Sequence, residues 1–130
     1  MSDPGQVIYS FGPFGTAVCA GPYGVFKWQR SNMTRVELTG SCLRGRKQRS
    51  FFIFGRSGSS GPVVFEVPYA ALQSVRRSPH PARLGLMDVL ELTFMSGCEQ
   101  KVLSIAAYKA PVARALEVLR RYVPAELIQG

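Results

Sequence analysis

The chain has 130 residues, 46% hydrophobic and 18% charged. Those totals fit one globular domain with one modest core and exclude a disordered or collagen-like chain. The net charge of +8 favours anionic partners (nucleic acid, an acidic membrane surface or an acidic protein) without choosing among them.

No apolar run approaches the roughly 18 residues of a membrane-crossing helix. The opening Met1-Ser2-Asp3-Pro4-Gly5-Gln6 has neither the basic leader nor the apolar stretch of a signal peptide. A cytoplasmic location is therefore expected, with attachment to the periphery of a membrane as the alternative. Cys19, Cys42 and Cys98 are odd in number and lack C-x-x-C spacing, so they read as small buried hydrophobes. With a single histidine in the chain, neither a metal site nor a cofactor is expected.

Taken in order, residues 1–23 read as an N-terminal extension, partly strand. Val7 to Phe11 permits a short strand, Gly12-Pro13 breaks it, and Thr16 to Ala20 permits another. The aromatic and glycine content of residues 6–20 suits a segment that packs on the domain or reaches a neighbouring copy, which would make a homo-oligomer. Residues 24–130 read as the domain proper. Val25 to Arg30 alternates Phe26 and Trp28 against Lys27 and Gln29, as a strand does. Arg35 to Arg44 reads as a hairpin, with Val36 and Leu38 inward and Gly40-Ser41 at its turn. The basic stretch Arg44-Gly45-Arg46-Lys47-Gln48-Arg49 then runs into Phe51-Phe52-Ile53-Phe54, whose length favours a buried strand. Residues 56–62, R-S-G-S-S-G-P, have the composition of a flexible loop.

Val63 to Val67 alternates with Val63, Phe65 and Val67 on one side, and Pro68 suits an edge or bend. Leu72 to Arg76 reads as a short strand and Ser78 to Arg83 as a loop. Leu86 to Met95 is the clearest strand, with Leu90, Leu92 and Phe94 on one face and Val89, Glu91 and Thr93 on the other. Ser96-Gly97 turns the chain back into Glu99 to Ile105. An amphipathic helix follows over about 110–123. Val112, Ala115, Leu116, Val118, Leu119, Tyr122 and Val123 share one arc; Arg114, Glu117, Arg120 and Arg121 share the other. Glu117 stands one turn before Arg121, the spacing of an ion pair. Pro111 suits the first turn and Pro124 the stop. The fold class is therefore mainly β (α+β): antiparallel strands followed by one helix.

Three segments in this order are V-F-E-V-P-Y-A-A-L-Q-S-V-R-R, D-V-L-E-L-T-F-M-S-G-C-E-Q-K-V-L-S-I and the helical V-A-R-A-L-E-V-L-R-R-Y-V. Together with R-V-E-L-T-G-S-C-L-R, they resemble the pleckstrin-homology-like superfold, nearest to its GRAM and bacterial PH variants. The resemblance spans residues 24–123. It implies a PH-like barrel of two packed antiparallel sheets, about seven strands, capped by the C-terminal helix. Where PH domains carry a tryptophan in that helix, this chain has Leu119 and Tyr122; its one tryptophan is Trp28. Lys27 followed by Arg44-Gly45-Arg46 imitates the phosphoinositide-binding pattern with a longer spacer.

The candidate anion or lipid site is Lys27, Arg30, Arg44, Arg46, Lys47 and Arg49, with Arg35 close to it in sequence. Its functional reading is a seat for a phosphorylated headgroup or a nucleic-acid backbone. Its simpler reading is a solvated basic loop. Phe51, Phe52 and Phe54 suit core packing better than base stacking. The glycine-rich loop lacks the G-x-x-x-x-G-K-[ST] spacing of a phosphate loop. His80 lies in a proline-flanked loop, the eight acidic residues are scattered, and no nucleophile has a visible base. No catalytic residue is expected. The leading expectation is a non-enzymatic module that binds another protein as an intracellular adaptor or assembly component. Anionic lipid or phosphoinositide headgroups come second as partners, and nucleic acid third.

Overall fold

The computed structural model describes residues 6–12, 15–21, 34–48, 52–53, 56–57, 60–83 and 85–129. In chain order they form β1 (Val7–Phe11), β2 (Ala17–Ala20), β3 (Thr34–Thr39), β4 (Cys42–Gln48), β5 (Phe52–Ile53), β6 (Arg56–Ser57) and β7 (Ser60–Pro68). A 3-10 turn (Tyr69–Ala71) leads to β8 (Leu72–Pro79), β9 (Met87–Ser96), β10 (Glu99–Tyr108), α1 (Lys109–Tyr122), a second 3-10 turn and β11 (Ile128–Gln129). One sheet has the order β1-β3-β4-β7, a second has β11-β8-β9-β10-β2, and β5 and β6 make a separate ribbon. The strand expected over Val25 to Arg30 lies outside the described residues. So do Phe51 and Phe54 of the expected aromatic strand.

Two expectations are corrected here. Among the described residues the two sheets hold four and five strands rather than about seven, and no ladder closes them into a barrel. Three of these nine, β1, β2 and β11, lie outside residues 24–123 and add edge strands, while the described part of 24–123 supplies six. Closure fails where the chain changes sheet. The link from β7 to β8 is a 3-10 turn, and the two strands end in different sheets instead of pairing. The five-stranded sheet is also mixed, because β11 runs parallel to β8 through Ile128 opposite Val75.

Alternation explains which side chains meet. Successive strand residues point to opposite faces, so opposed residues of neighbouring strands share a face. In the five-stranded sheet Leu92 lies opposite both Leu103 and Val75, and Leu90 lies opposite Ile105. In the four-stranded sheet Leu38 lies opposite Leu43, which lies opposite Val67. These buried faces join one core with Phe11, Val18 and the inner side of α1. The helix packs on β1, β9 and β10, with Val112, Ala115, Leu116, Val118 and Leu119 buried. Each large aliphatic side chain buried this way stabilises the fold by roughly 1.5–3 kcal/mol, more than a surface ion pair supplies. Pro111 costs the helix no hydrogen bond, since first-turn N–H groups have no intrahelical partner. The Val123 N–H reaches the Leu119 carbonyl at 2.8 Å before Pro124 ends the helix.

One placement differs from the expected arc. Tyr122 is 43% exposed and stacks on buried Tyr69, ring centres 5.8 Å apart. Its ring closes the edge of the core instead of entering it. Val89, read on the face with Glu91 and Thr93, is buried with Met87 and Ala106 in a second small cluster beside Ala17. The five-stranded sheet is therefore covered on both sides along this strip. Ser104, on the same face, donates from Oγ to the Gly21 carbonyl at 2.7 Å. Gly15, at φ 63°, lies against the Tyr108 ring, where a Cβ would overlap the ring.

Cys19 and Cys42 are buried, while Cys98 is exposed, contrary to the expectation for all three. It follows Gly97 in the exposed turn between β9 and β10. Among the described residues no helix is long and apolar enough to cross a membrane.

Candidate functional site

The basic stretch, read from sequence as a loop, continues strand β4 as far as Gln48. Its strand character follows from β3, which pairs with it regularly from Leu38 opposite Leu43 to Thr34 opposite Lys47. The turn between them is tied by Thr39. Its Oγ1 accepts from the Ser41 and Cys42 N–H groups at 3.2 and 3.0 Å. The buried Tyr69 hydroxyl donates to the Thr39 carbonyl at 2.7 Å. Burial, with Cys42 and Tyr122 beside it, pushes the Tyr69 phenol well above its usual range.

Period-two alternation splits the basic residues. Leu43 and Gly45 face the core, and a Cβ on Gly45 would meet the Phe65 ring 2.5 Å from Cζ. Arg44 and Arg46 face outward, and Glu37 stands opposite Arg44. The Glu37 carboxylate accepts from Arg44 Nε at 2.8 Å and from Arg46 Nε at 3.0 Å through one oxygen, Oε1. Arg35, opposite Arg46, donates from Nη2 and Nε to Ser10 Oγ on β1 at 2.8 and 3.2 Å. Glu66 of β7 faces Arg44 from the other side. This outer face is a row of cations interleaved with carboxylates and hydroxyls from three neighbouring strands. Lys47 is exposed and alternates away from Arg44 and Arg46. Lys27, Arg30 and Arg49 lie outside the described residues. Of the residues singled out from sequence, the structure thus brings Arg44 and Arg46 together, with Arg35, and separates Lys47 from them.

Glu37 was missed in the sequence because its partners sit on another strand, seven and nine residues on. The hairpin itself was legible, and counting back from the Gly40-Ser41 turn would have set Glu37 opposite Arg44. The same holds for the exposed valines of β7. Val63 was expected on one side with Phe65 and Val67. The ladder between β4 and β7 shifts after Gly45, so that Gly45 pairs with Phe65 but Arg46 pairs with Val63. Val63 and Val64 are 41% and 50% exposed as a result. Pro62, which lacks an N–H, was the sequence signal for such an irregularity.

His80 is buried at the end of β8, and its ring Nδ1 accepts the Ala82 N–H at 3.0 Å. Its own N–H donates to the Met87 carbonyl and its carbonyl accepts from Arg83, so the loop folds around it. Burial, and then the charge of Arg83, hold its pKa below 6.5. The Nδ1 bond ties the loop after β8 to the ring. Asp88, also buried, accepts from Arg77 at 2.6 Å.

No protein-family model matches the chain, and no curated protein sequence matches it.

Proposed function

We propose that the chain is a non-enzymatic interaction module of the PH-like kind, an intracellular adaptor or assembly component that takes an extended segment of another protein against β7. The observation that carries this reading is the adjacent pair Val63 and Val64 on the outermost strand of the four-stranded sheet. Two neighbouring large apolar side chains, each more than two-fifths exposed, stand on a strand with no further neighbour among the described residues. Edge strands with apolar side chains are templates for pairing, and adding a peptide strand satisfies their open backbone groups. Pro62 and Pro68 bracket the usable stretch, Val63 to Val67, so the segment bound would be about five residues long. Arg46 opposite Val63 and Glu66 opposite Arg44 give that stretch a charged border of both signs.

The headgroup reading is weaker on the same geometry. Arg44 and Arg46 already share the Glu37 carboxylate, and a phosphate would have to compete with an anion built into the sheet. The test is affinity capture from the protein's own cell extract with the wild type and with a Val63→Lys/Val64→Lys variant. The variant should melt within about 2 °C of the wild type, as surface changes do, and lose the captured partner. Capture of the same proteins by both would remove the edge as the binding surface.

A further inference from the structure

We propose that the outer face of α1 is a second docking surface, specific for an acidic segment of a partner polypeptide. It rests on the protein-binding reading above but on a different surface from β7. The helix has its apolar side in the core, so its outward side is held in a fixed orientation. That side exposes Lys109, Arg114, Arg120 and Arg121 against a single acid, Glu117. Among the described residues none of these four cations is ion-paired, and Glu117 does not pair with Arg121 despite the spacing that allows it. Elsewhere the contrast is plain: Arg44 and Arg46 share Glu37, and Arg77 holds Asp88. Of the eight exposed cations among the described side chains the helix therefore holds four, whereas Lys47, Arg76, Arg83 and Lys101 are spread over β4, β8, the loop before β9 and β10.

The arrangement favours a peptide over other polyanions. At 100° per residue, Lys109 and Arg120 fall on one flank of the outer arc, Arg114 and Arg121 on the other, and Glu117 between them. A nucleic-acid backbone laid along the axis would carry unbroken negative charge across that carboxylate. A bilayer would find no free apolar face to insert, leaving charge alone to hold it. Discrete carboxylates on a peptide can bind the flanking guanidiniums, whose planar forks donate to both carboxylate oxygens, and leave a gap over Glu117. Lys109 to Arg121 covers about 18 Å of helix, the reach of about five or six extended residues.

The experiment measures fluorescence anisotropy of a labelled peptide of about eight residues, long enough to overspan the helix, with glutamates at both ends and serines between, at low salt. Arg114→Glu/Arg121→Glu should weaken binding by about tenfold or more, and Arg114→Gln/Arg121→Gln by an intermediate factor. The glutamine pair keeps the test valid if the charge reversal unfolds the helix. Lys47→Glu/Lys101→Glu changes net charge equally at other exposed positions and should weaken binding less than about threefold. Val63→Lys/Val64→Lys should bind the peptide at least as well as the wild type, which separates failure here from failure of the β7 reading. Equal loss from the helix pair and the control pair would mean net charge alone and would overturn the proposal. Tighter binding of phosphatidylserine vesicles or of a DNA duplex, with the same dependence on Arg114 and Arg121, would overturn the peptide as occupant.

Discussion

Replacing Glu37 with Gln removes one negative charge and keeps the side chain's shape and an acceptor oxygen. Glu37 Oε1 receives two charge-assisted hydrogen bonds, at 2.8 and 3.0 Å. Such bonds are worth about 1.5–3 kcal/mol each. The Arg44 and Arg46 side chains retain 16% and 26% exposure, so solvent screens part of that and the lower end applies. Neutralising the acceptor halves each bond, a loss of about 1.5 kcal/mol in all. It also leaves two guanidiniums on alternate residues of one strand, about 7 Å apart at the backbone. At an effective dielectric constant of 20–40 their repulsion is about 1–2 kcal/mol. That repulsion is present in the wild type too and cancels in the comparison, so the net loss is about 1.5 kcal/mol, which lowers the melting temperature of a domain this size by about 6 °C. Thermal unfolding followed by circular dichroism measures it. Removing the two arginines as well, in Glu37→Gln/Arg44→Gln/Arg46→Gln, should restore most of the loss, and raised salt should restore part of it. Glu37→Gln should also bind anionic vesicles better than the wild type, because the internal anion is gone. A melting temperature within about 3 °C of the wild type would refute the reasoning, as would a triple variant no more stable than the single one.

Leu116→Ala opens a cavity where the helix meets the core, at a residue 1% exposed, and should cost about 2–5 kcal/mol. Arg120→Ala on the opposite side of the same helix should change stability by less than about 0.5 kcal/mol, and chemical denaturation compares the two. His80, the one histidine, gives a pH dependence of known sign. Well above pH 6.5 it is neutral whether folded or unfolded; as pH falls through 6.5 the unfolded chain takes the proton first, because the folded pKa is lowered. Stability should therefore decline as pH falls below 6.5 and level off once the folded ring also titrates. His80→Asn keeps an acceptor for the Ala82 N–H and should flatten the decline in melting temperature between pH 7.5 and 5.5; an equal slope in both proteins would count against this role.

Local pattern carried most of the architecture. The β9–β10 hairpin was legible because Leu90, Leu92, Leu103 and Ile105 alternate and Gly97 supplies the left-handed turn residue, at φ 64°. The helix was legible from its spacing to within a residue at each end: it runs over Lys109–Tyr122 against an expected span of about 110–123. What could not be read was set by contacts between segments distant in the chain. β1 and β2 were expected as short strands, but their pairing with β3 and β10 was not legible. β11 has two residues and exists only as a partner of β8. Val63 points outward because the ladder slips beside Arg46, a fact about the pairing of β4 and β7 and not about either segment alone.

The candidate site shows the same limit in its electrostatics. Composition counts charges, but only register says which of them are answered. Arg44-Gly45-Arg46-Lys47 is the densest basic run and draws the eye as an anion site, yet alternation turns Lys47 away and cross-strand pairing sets Glu37 beside both arginines. The arginines of α1 are more dispersed in sequence and stand out less. On the folded molecule their helical spacing gathers them on one exposed face, and the lone Glu117 among them does not neutralise it. A basic run in a strand is divided between two faces and meets its neighbours' acids, whereas basic residues spaced seven apart (Arg114 and Arg121) or eleven apart (Lys109 and Arg120) on a docked helix stay on its outer side. Binding of the acidic peptide should therefore fall further in Arg114→Gln/Arg121→Gln than in Arg44→Gln/Arg46→Gln, as read by the same anisotropy measurement.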